Sequence, residues 1–263
     1  MTDLLDLIGG PRALVGVLIP LIGFAARRIY VVYVRYRIVG LGAQCLDVVL
    51  TASDSAAGEG RGITRPTTGL GSVQALSVIA RAMGRYYKKL PFNVHLATRV
   101  ESRLQGDLIS VGGPRLNRIT ADLLRSQSHV EFDDVRMMAR VGEFCVSDYD
   151  LQIADYKPTR DLGMVMICVS PFAAHPSRSV LCCGFTSYGT AGAAQWFFGE
   201  ILNDKFGHPL ARKASIPLRG VPLTHCYVAV LEVTVIDGRV IGQRVLKTSL
   251  RKSEVDERAG SRT

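Results

Sequence analysis

Three times along this chain, an apolar run of strand length leads through a glycine-bearing bend into a stretch with helical spacing. The first unit is "CLDVVLTA" (45–52), then "SDSAAGEGRGITRPTTGLG", then "SVQALSVIARAMGRYYKKL". The second is "GDLISVGGPRLNRITADLLRS" (106–126), and the third is "SVLCCGFTSYGTAGAAQWFFGEIL" (179–202). Two more apolar runs, "FNVHLA" (92–97) and "GMVMICVS" (163–170), read as strands between the units. A strand that returns through a helix pairs parallel with its predecessor, so this alternation predicts an α/β domain with a mostly parallel sheet flanked by helices. In the first helix Val73, Leu76, Ile79, Ala80 and Met83 fall on one face, with Ser72 as N-cap and Lys88 and Lys89 at the far end.

Outside the repeated units the pattern changes. Residues 128–156 read as extra strands or a hairpin. "HCYVAVLEVTVIDGRVIGQRVL" (225–246) alternates around Asp237-Gly238, a dipeptide that favours the tight turn of a β-hairpin. The organisation expected is an apolar, basic N-terminal segment (1–40), the α/β domain (41–205), a β-rich extension (206–250) and a polar, disordered tail (251–263).

In open α/β sheets a ligand lies beyond the carboxyl ends of the strands, where helix N-termini offer free N–H groups and partial positive charge. Each of the three bends carries small, hydroxyl or amide residues at such a junction. The first holds Thr67, Thr68, Gly69 and Gly71, with Arg65 just ahead. The second holds Gly112, Gly113, Arg115 and Asn117. The third holds Ser187, Gly189 and Thr190. The geometry expected is a shared cradle for a phosphate or another anion, with Arg65 and Arg115 able to grip it bidentately. Asn117 and Thr190 serve equally well as helix N-caps. Acid–base groups are fewer: Asp54 and Glu59 stand in the first loop, and His95 ends "FNVHLA". Asp47 and Asp107 open strands, at the end away from the cradle.

The net charge of +9 comes from 25 Arg and 7 Lys against 23 acidic residues. The arginines are scattered, without the interleaved aromatics of a nucleic-acid surface, which argues against nucleic acid as the partner. None of the six cysteines forms a C-x-x-C pair and most lie in apolar runs, so they read as buried reduced thiols and no metal site is expected. Cys182 and Cys183 should point to opposite faces of a strand. Nothing asks for an oxidising compartment, so a cytoplasmic setting is expected.

At the N-terminus an uncharged core, Ala13–Ala26, is 14 residues long and bracketed by Arg12 and by Arg27-Arg28. A spanning helix needs about 20 residues, and Asp3 and Asp6 fit a secretory signal poorly. The segment reads as a helix kinked at Pro20 that lies with residues 11–37 toward the inner face of a membrane, as a short span with its arginines snorkelling to the cytoplasmic side, or as an arm docked on another subunit or on its own domain.

"TTGLGSVQAL" and "CCGFTSYGTAGAAQWF" resemble the glycine loops of Rossmann-like nucleotide-binding proteins of the SLOG and lysine-decarboxylase-like phosphoribohydrolase group. Gly189 and Thr190 match the Gly-Thr pair of that group's later loop, whereas Ala193 and Ala194 stand where its glutamate would be. The resemblance implies a Rossmann-like sheet and nucleotide binding, and the departure at the glutamate position puts phosphoribohydrolase activity in doubt. "RPTTGLG", "GRYY", "GGPRLN" and "YGTAGAA" together also look like bacterial proteins, a resemblance that implies no reaction. The function expected is sensor-type binding of a nucleotide or another phosphorylated metabolite. The alternatives are an enzyme acting on a nucleoside or nucleotide through Asp54, Glu59 or His95, and a non-catalytic assembly protein.

Overall fold

The computed structural model describes residues 10–33, 41, 45–56, 64–86, 91–98, 100, 104, 106–147, 149, 151, 153–154, 157–173, 175–201 and 221–253. Glu59, Lys88, Lys89 and residues 254–263 lie outside the described residues, and Arg251 and Lys252, expected in a disordered tail, instead end the last strand. A long helix, α1 (Gly10–Tyr33), precedes strand β1 (Leu46–Leu50). A short hairpin, β2 (Ser53–Ala56) and β3 (Thr64–Thr67), separates β1 from α2 (Leu70–Tyr86) and β4 (Phe92–Leu96). Next come β5 (Asp107–Val111), α3 (Arg118–Arg125) and a three-stranded meander of β6 (Val130–Asp133), β7 (Met138–Val141) and β8 (Phe144–Val146). Two small strands, β9 (Ile153–Ala154) and β10 (Lys157–Pro158), lead to β11 (Arg160–Val169) and β12 (Arg178–Gly184). Helix α4 (Ser187–Ala194) continues as a π-helix (Gln195–Ile201), and the chain returns as β13 (His225–Ile236) and β14 (Arg239–Lys252).

All three expected strand–bend–helix units form, and the chain is mixed α/β. The seven-stranded sheet has the order β14-β13-β11-β12-β5-β1-β4. Strands β4, β1, β5 and β12 pair in parallel; β12–β11, β11–β13 and β13–β14 pair antiparallel. The mostly parallel sheet expected from the repeated units is therefore limited to the first half, and the longest strands are antiparallel. The reason is chain length between strands. Residues 170–177 link β11 to β12, which is shorter than the dozen or more residues a parallel crossover takes. The last hairpin turns on Asp237 (φ 50°) and Gly238 (φ 72°), as the dipeptide predicted, and it completes the sheet by pairing with β11.

Alternate strand positions feed two cores, one on each face of the sheet. Leu46, Val48, Ile109, Val180 and Cys182 face α2, α4 and the π-helix. Val49, Leu108, Leu181 and Cys183 face α3 and the meander. Cys182 and Cys183 thus lie on opposite faces, both fully buried, and all six cysteines are free. Burial holds the Cys168 thiol up to about 12, so it behaves as a small hydrophobe.

Helix α2 starts two residues before the expected cap. The Gly69 carbonyl accepts the Ser72 and Val73 N–H groups, and the buried Ser72 hydroxyl lies 2.7 Å from Thr51 Oγ1 at the end of β1. Its buried stripe is Ala75, Ile79, Ala82 and Met83, while Val73 is exposed; the expected face was rotated by part of a turn. The stripe is set by how closely α2 meets α4. A Cβ on Gly71 would lie 1.8 Å from the Ser187 carbonyl oxygen. Gly71→Val should therefore cost about 3 kcal/mol through overpacking, read as a lower urea midpoint, whereas Gly84→Ala, with open space around it, should leave the midpoint unchanged or raise it.

Candidate functional site

The three bends do meet along one rim. Gly71 packs on Ser187, Ser72 reaches Thr51, and a Cβ on Gly112 would lie 2.0 Å from Thr51 Cγ2. Gly112 also has φ +110°, so its lack of a side chain is required twice. Helix α2 leaves β1 over one face of the sheet and α3 leaves β5 over the other, so β1 and β5 flank a switch in connection direction.

At two of the three bends the protein's own carboxylates occupy the donors. Asp161, at the start of β11 and 0% exposed, accepts the N–H groups of Leu162 (2.7 Å), Gly189 (2.6 Å) and Thr186 (3.3 Å), and the Thr186 hydroxyl as well. The Thr186 hydroxyl accepts the Tyr188 N–H at 3.2 Å, completing the cap of α4. Burial pushes the Asp161 carboxyl up, and its four hydrogen bonds pull it back toward the ionised form. Gly189 approaches β11 so closely that a Cβ would lie 2.3 Å from the Leu162 carbonyl oxygen. Thr190, also buried, donates both its N–H and its hydroxyl to the Thr186 carbonyl. Gly189 and Thr190, expected to hold a ligand, thus hold α4 to the sheet, and an internal anion fills the helix N-terminus.

The second bend is closed in the same way. Asp134, in the β6–β7 turn, comes within 2.2 Å of where a Gly113 Cβ would be. Burial raises its carboxyl, while the Arg115 charge and the Arg115 backbone N–H lower it. Arg115 therefore faces an internal carboxylate. Asn117 is fully buried: its Oδ1 accepts the Ile119 and Thr120 N–H groups, and its Nδ2 donates to Ser110 Oγ and the Val111 carbonyl. It is the cap of α3, one of the two roles its position allowed.

The first bend is different. Arg65 and Thr67 lie in β3 rather than in a loop, and Asp54 lies in β2 opposite Pro66; their side chains are outside the described residues. Thr68 Oγ1 is buried without a hydrogen-bond partner, and Gly69 is exposed. His95 turns along the sheet face of the edge strand β4, where its Nε2 lies 3.0 Å from Asp47 Oδ1. Asn93 Nδ2 donates to the same carboxylate oxygen at 3.3 Å and to Cys45 Sγ at 3.2 Å. The acid set aside as remote is thus the partner of His95.

A cavity of about 570 Å³ opens beside the rim, between α2, the π-helix and the start of β14. Its polar lining is Gln74, Ser77 and Arg81 from α2, Gln195 and Glu200 from the second helix, and Arg239 from β14, with Val78 and Val240 as apolar walls. Arg81, Glu200 and Arg239 form no ion pair among the described residues, and burial raises the Glu200 carboxyl. The π-helix shapes this wall. Trp196, Phe197 and Phe198 are all buried, with the two phenylalanine rings edge-to-face at 5.0 Å. Sequence reasoning missed this cavity because its residues come from 73–81, 191–200 and 239–240, and no local motif joins them.

No protein-family model matches the chain, and the search of curated proteins gave no match.

If Asp161 is the resident anion of α4, Asp161→Ala leaves its donors unpaired and should cost about 3 kcal/mol in urea denaturation. Added sulfate should restore more stability to this variant than it adds to wild type. Equal increments in both would show that the N-terminus of α4 accepts no anion.

Proposed function

We propose that the protein is a binding module for a small phosphorylated metabolite, of which a nucleotide is the best-fitting class, and that the cavity between α2 and the π-helix receives it. The observation that carries this reading is the pair of arginines, Arg81 and Arg239, without ion-pair partners among the described residues, that line one cavity large enough for a nucleotide. Guanidinium groups suit a phosphate because they present two parallel donors to its oxygens. Gln74 and Gln195 each carry a donor and an acceptor, the pattern needed to read a base edge, and Val78 and Val240 offer it apolar contact. The carboxylates Asp134 and Asp161 already occupy backbone donors at the second and third bends, which favours the neighbouring cavity as the place for a ligand. The resemblance of "TTGLGSVQAL" to nucleotide-binding loops supports the same class. In this reading the domain is cytoplasmic, with α1 toward the inner face of the membrane, since Arg27 and Arg28 at its domain end follow the excess of basic residues on that side.

A thermal-shift screen of inorganic phosphate, sugar phosphates and nucleoside mono- and diphosphates should find at least one that raises the melting temperature. Arg81→Ala and Arg239→Ala should each weaken its binding by about tenfold, the loss of one charge-assisted contact. Glu200→Gln should tighten it, because a carboxylate facing the cavity repels phosphate. A protein stabilised by none of these compounds, or one whose response survives both arginine changes, would refute the assignment.

A further inference from the structure

Helix α1 presents an unusual surface. Gly16 and every residue from Leu18 to Ile29 are exposed, including Leu18, Ile19, Leu21, Ile22, Phe24 and Ile29, the last at 70%. A Cβ placed on Gly16 or Gly23, seven residues apart, would meet nothing within 4 Å. Among the described side chains of α1, Tyr30 packs on the core. The helical course runs through Pro20 without a break. Between Arg12 and Arg27 there is no charged residue, so this stretch has no polar face to give to water. A helix apolar all round is stable only when something apolar surrounds it.

Three properties select a lipid surface. No acidic residue occurs in Gly10–Tyr33, whose three charges, Arg12, Arg27 and Arg28, bracket the apolar part. That arrangement complements anionic headgroups and would set two copies of the helix against each other wherever their ends align. The apolar part, Ala13–Ala26, is about 21 Å long at 1.5 Å per residue, against about 30 Å for a bilayer's hydrocarbon core. Among the described residues no helix is long and apolar enough to cross a membrane.

We propose that α1 inserts Ala13–Ala26 into a single leaflet of an anionic bilayer, held at headgroup level by Arg12 at one end and by Arg27 and Arg28 at the other. Tyr30 packs on the core two residues beyond Arg28, so the domain sits directly against the membrane. This deepens the membrane part of the function proposed above and does not depend on the cavity.

The test is cosedimentation of the full chain with vesicles of phosphatidylcholine alone and of phosphatidylcholine with phosphatidylglycerol. The chain should pellet with the anionic vesicles and bind the neutral ones at least tenfold more weakly. Arg27→Gln with Arg28→Gln should remove most of that difference, and Ile22→Asp should abolish binding to both. Neither change touches the core, so an unchanged unfolding transition separates lost binding from lost folding. In a second measurement, Phe24→Trp should be quenched by brominated acyl chains, on a Trp196→Phe background that silences the one native tryptophan. A chain that stays in the supernatant overturns the proposal. So does a lipid-free oligomer that Ile22→Asp dissociates while wild type ignores vesicles, which would assign the helix to a second copy. Arg81→Ala with Arg239→Ala should leave vesicle binding intact, so failure of the cavity and failure of the insertion are read separately.

Discussion

The contact between Gly71 and the Ser187 backbone governs how this molecule is assembled. With no side chain at residue 71, the first turn of α2 lies against the first turn of α4, and both helices share one face of the sheet. The consequences spread from that point. Ser72 is brought to the end of β1, Thr51 is pressed under Gly112, and α2 and the π-helix together line the cavity that holds Arg81 and Glu200. A methyl group at residue 71 would have to move one helix or the other.

The rim shows how a protein can fill its own anion sites. Helix N-termini and glycine bends attract negative charge whether it comes from a ligand or from the chain. Asp161 supplies it to α4 and Asp134 to the turn before α3, each from a segment distant in sequence. Glycine at 113 and 189 is explained by close approach of these side chains and of strand β11. At the second and third bends the residue pattern that predicted a cradle is thus satisfied internally, whereas the arginines of the adjacent cavity form no ion pair among the described residues.

Much of the architecture was legible because it rests on local periodicity. Apolar runs before glycine bends gave β1, β5 and β12 with their helices, and Asp237-Gly238 gave the last hairpin. The antiparallel half was less legible, although the link from 170 to 177 was short enough to argue for it. The buried face of α2 was displaced because its neighbours are Ser187 and α4, and close packing selected Ala75 and Ala82 over the larger Val73. His95 was singled out without its partner, since Asp47 lies 48 residues away and meets it only across paired strands.

By itself the sequence determined the alternation of strands and helices, the reduced and buried state of most cysteines, and an N-terminal helix whose apolar stretch lies between arginines. These follow from hydrophobic spacing and composition, which act over a few turns or strand residues. Only the tertiary structure decided which backbone donors remained available, where Asp161 and Asp134 came to lie, and that Arg81 and Arg239 would face one cavity. Such pairings join residues tens to hundreds of positions apart. They are fixed by how two helices pack over one sheet, and no short stretch of chain carries that information.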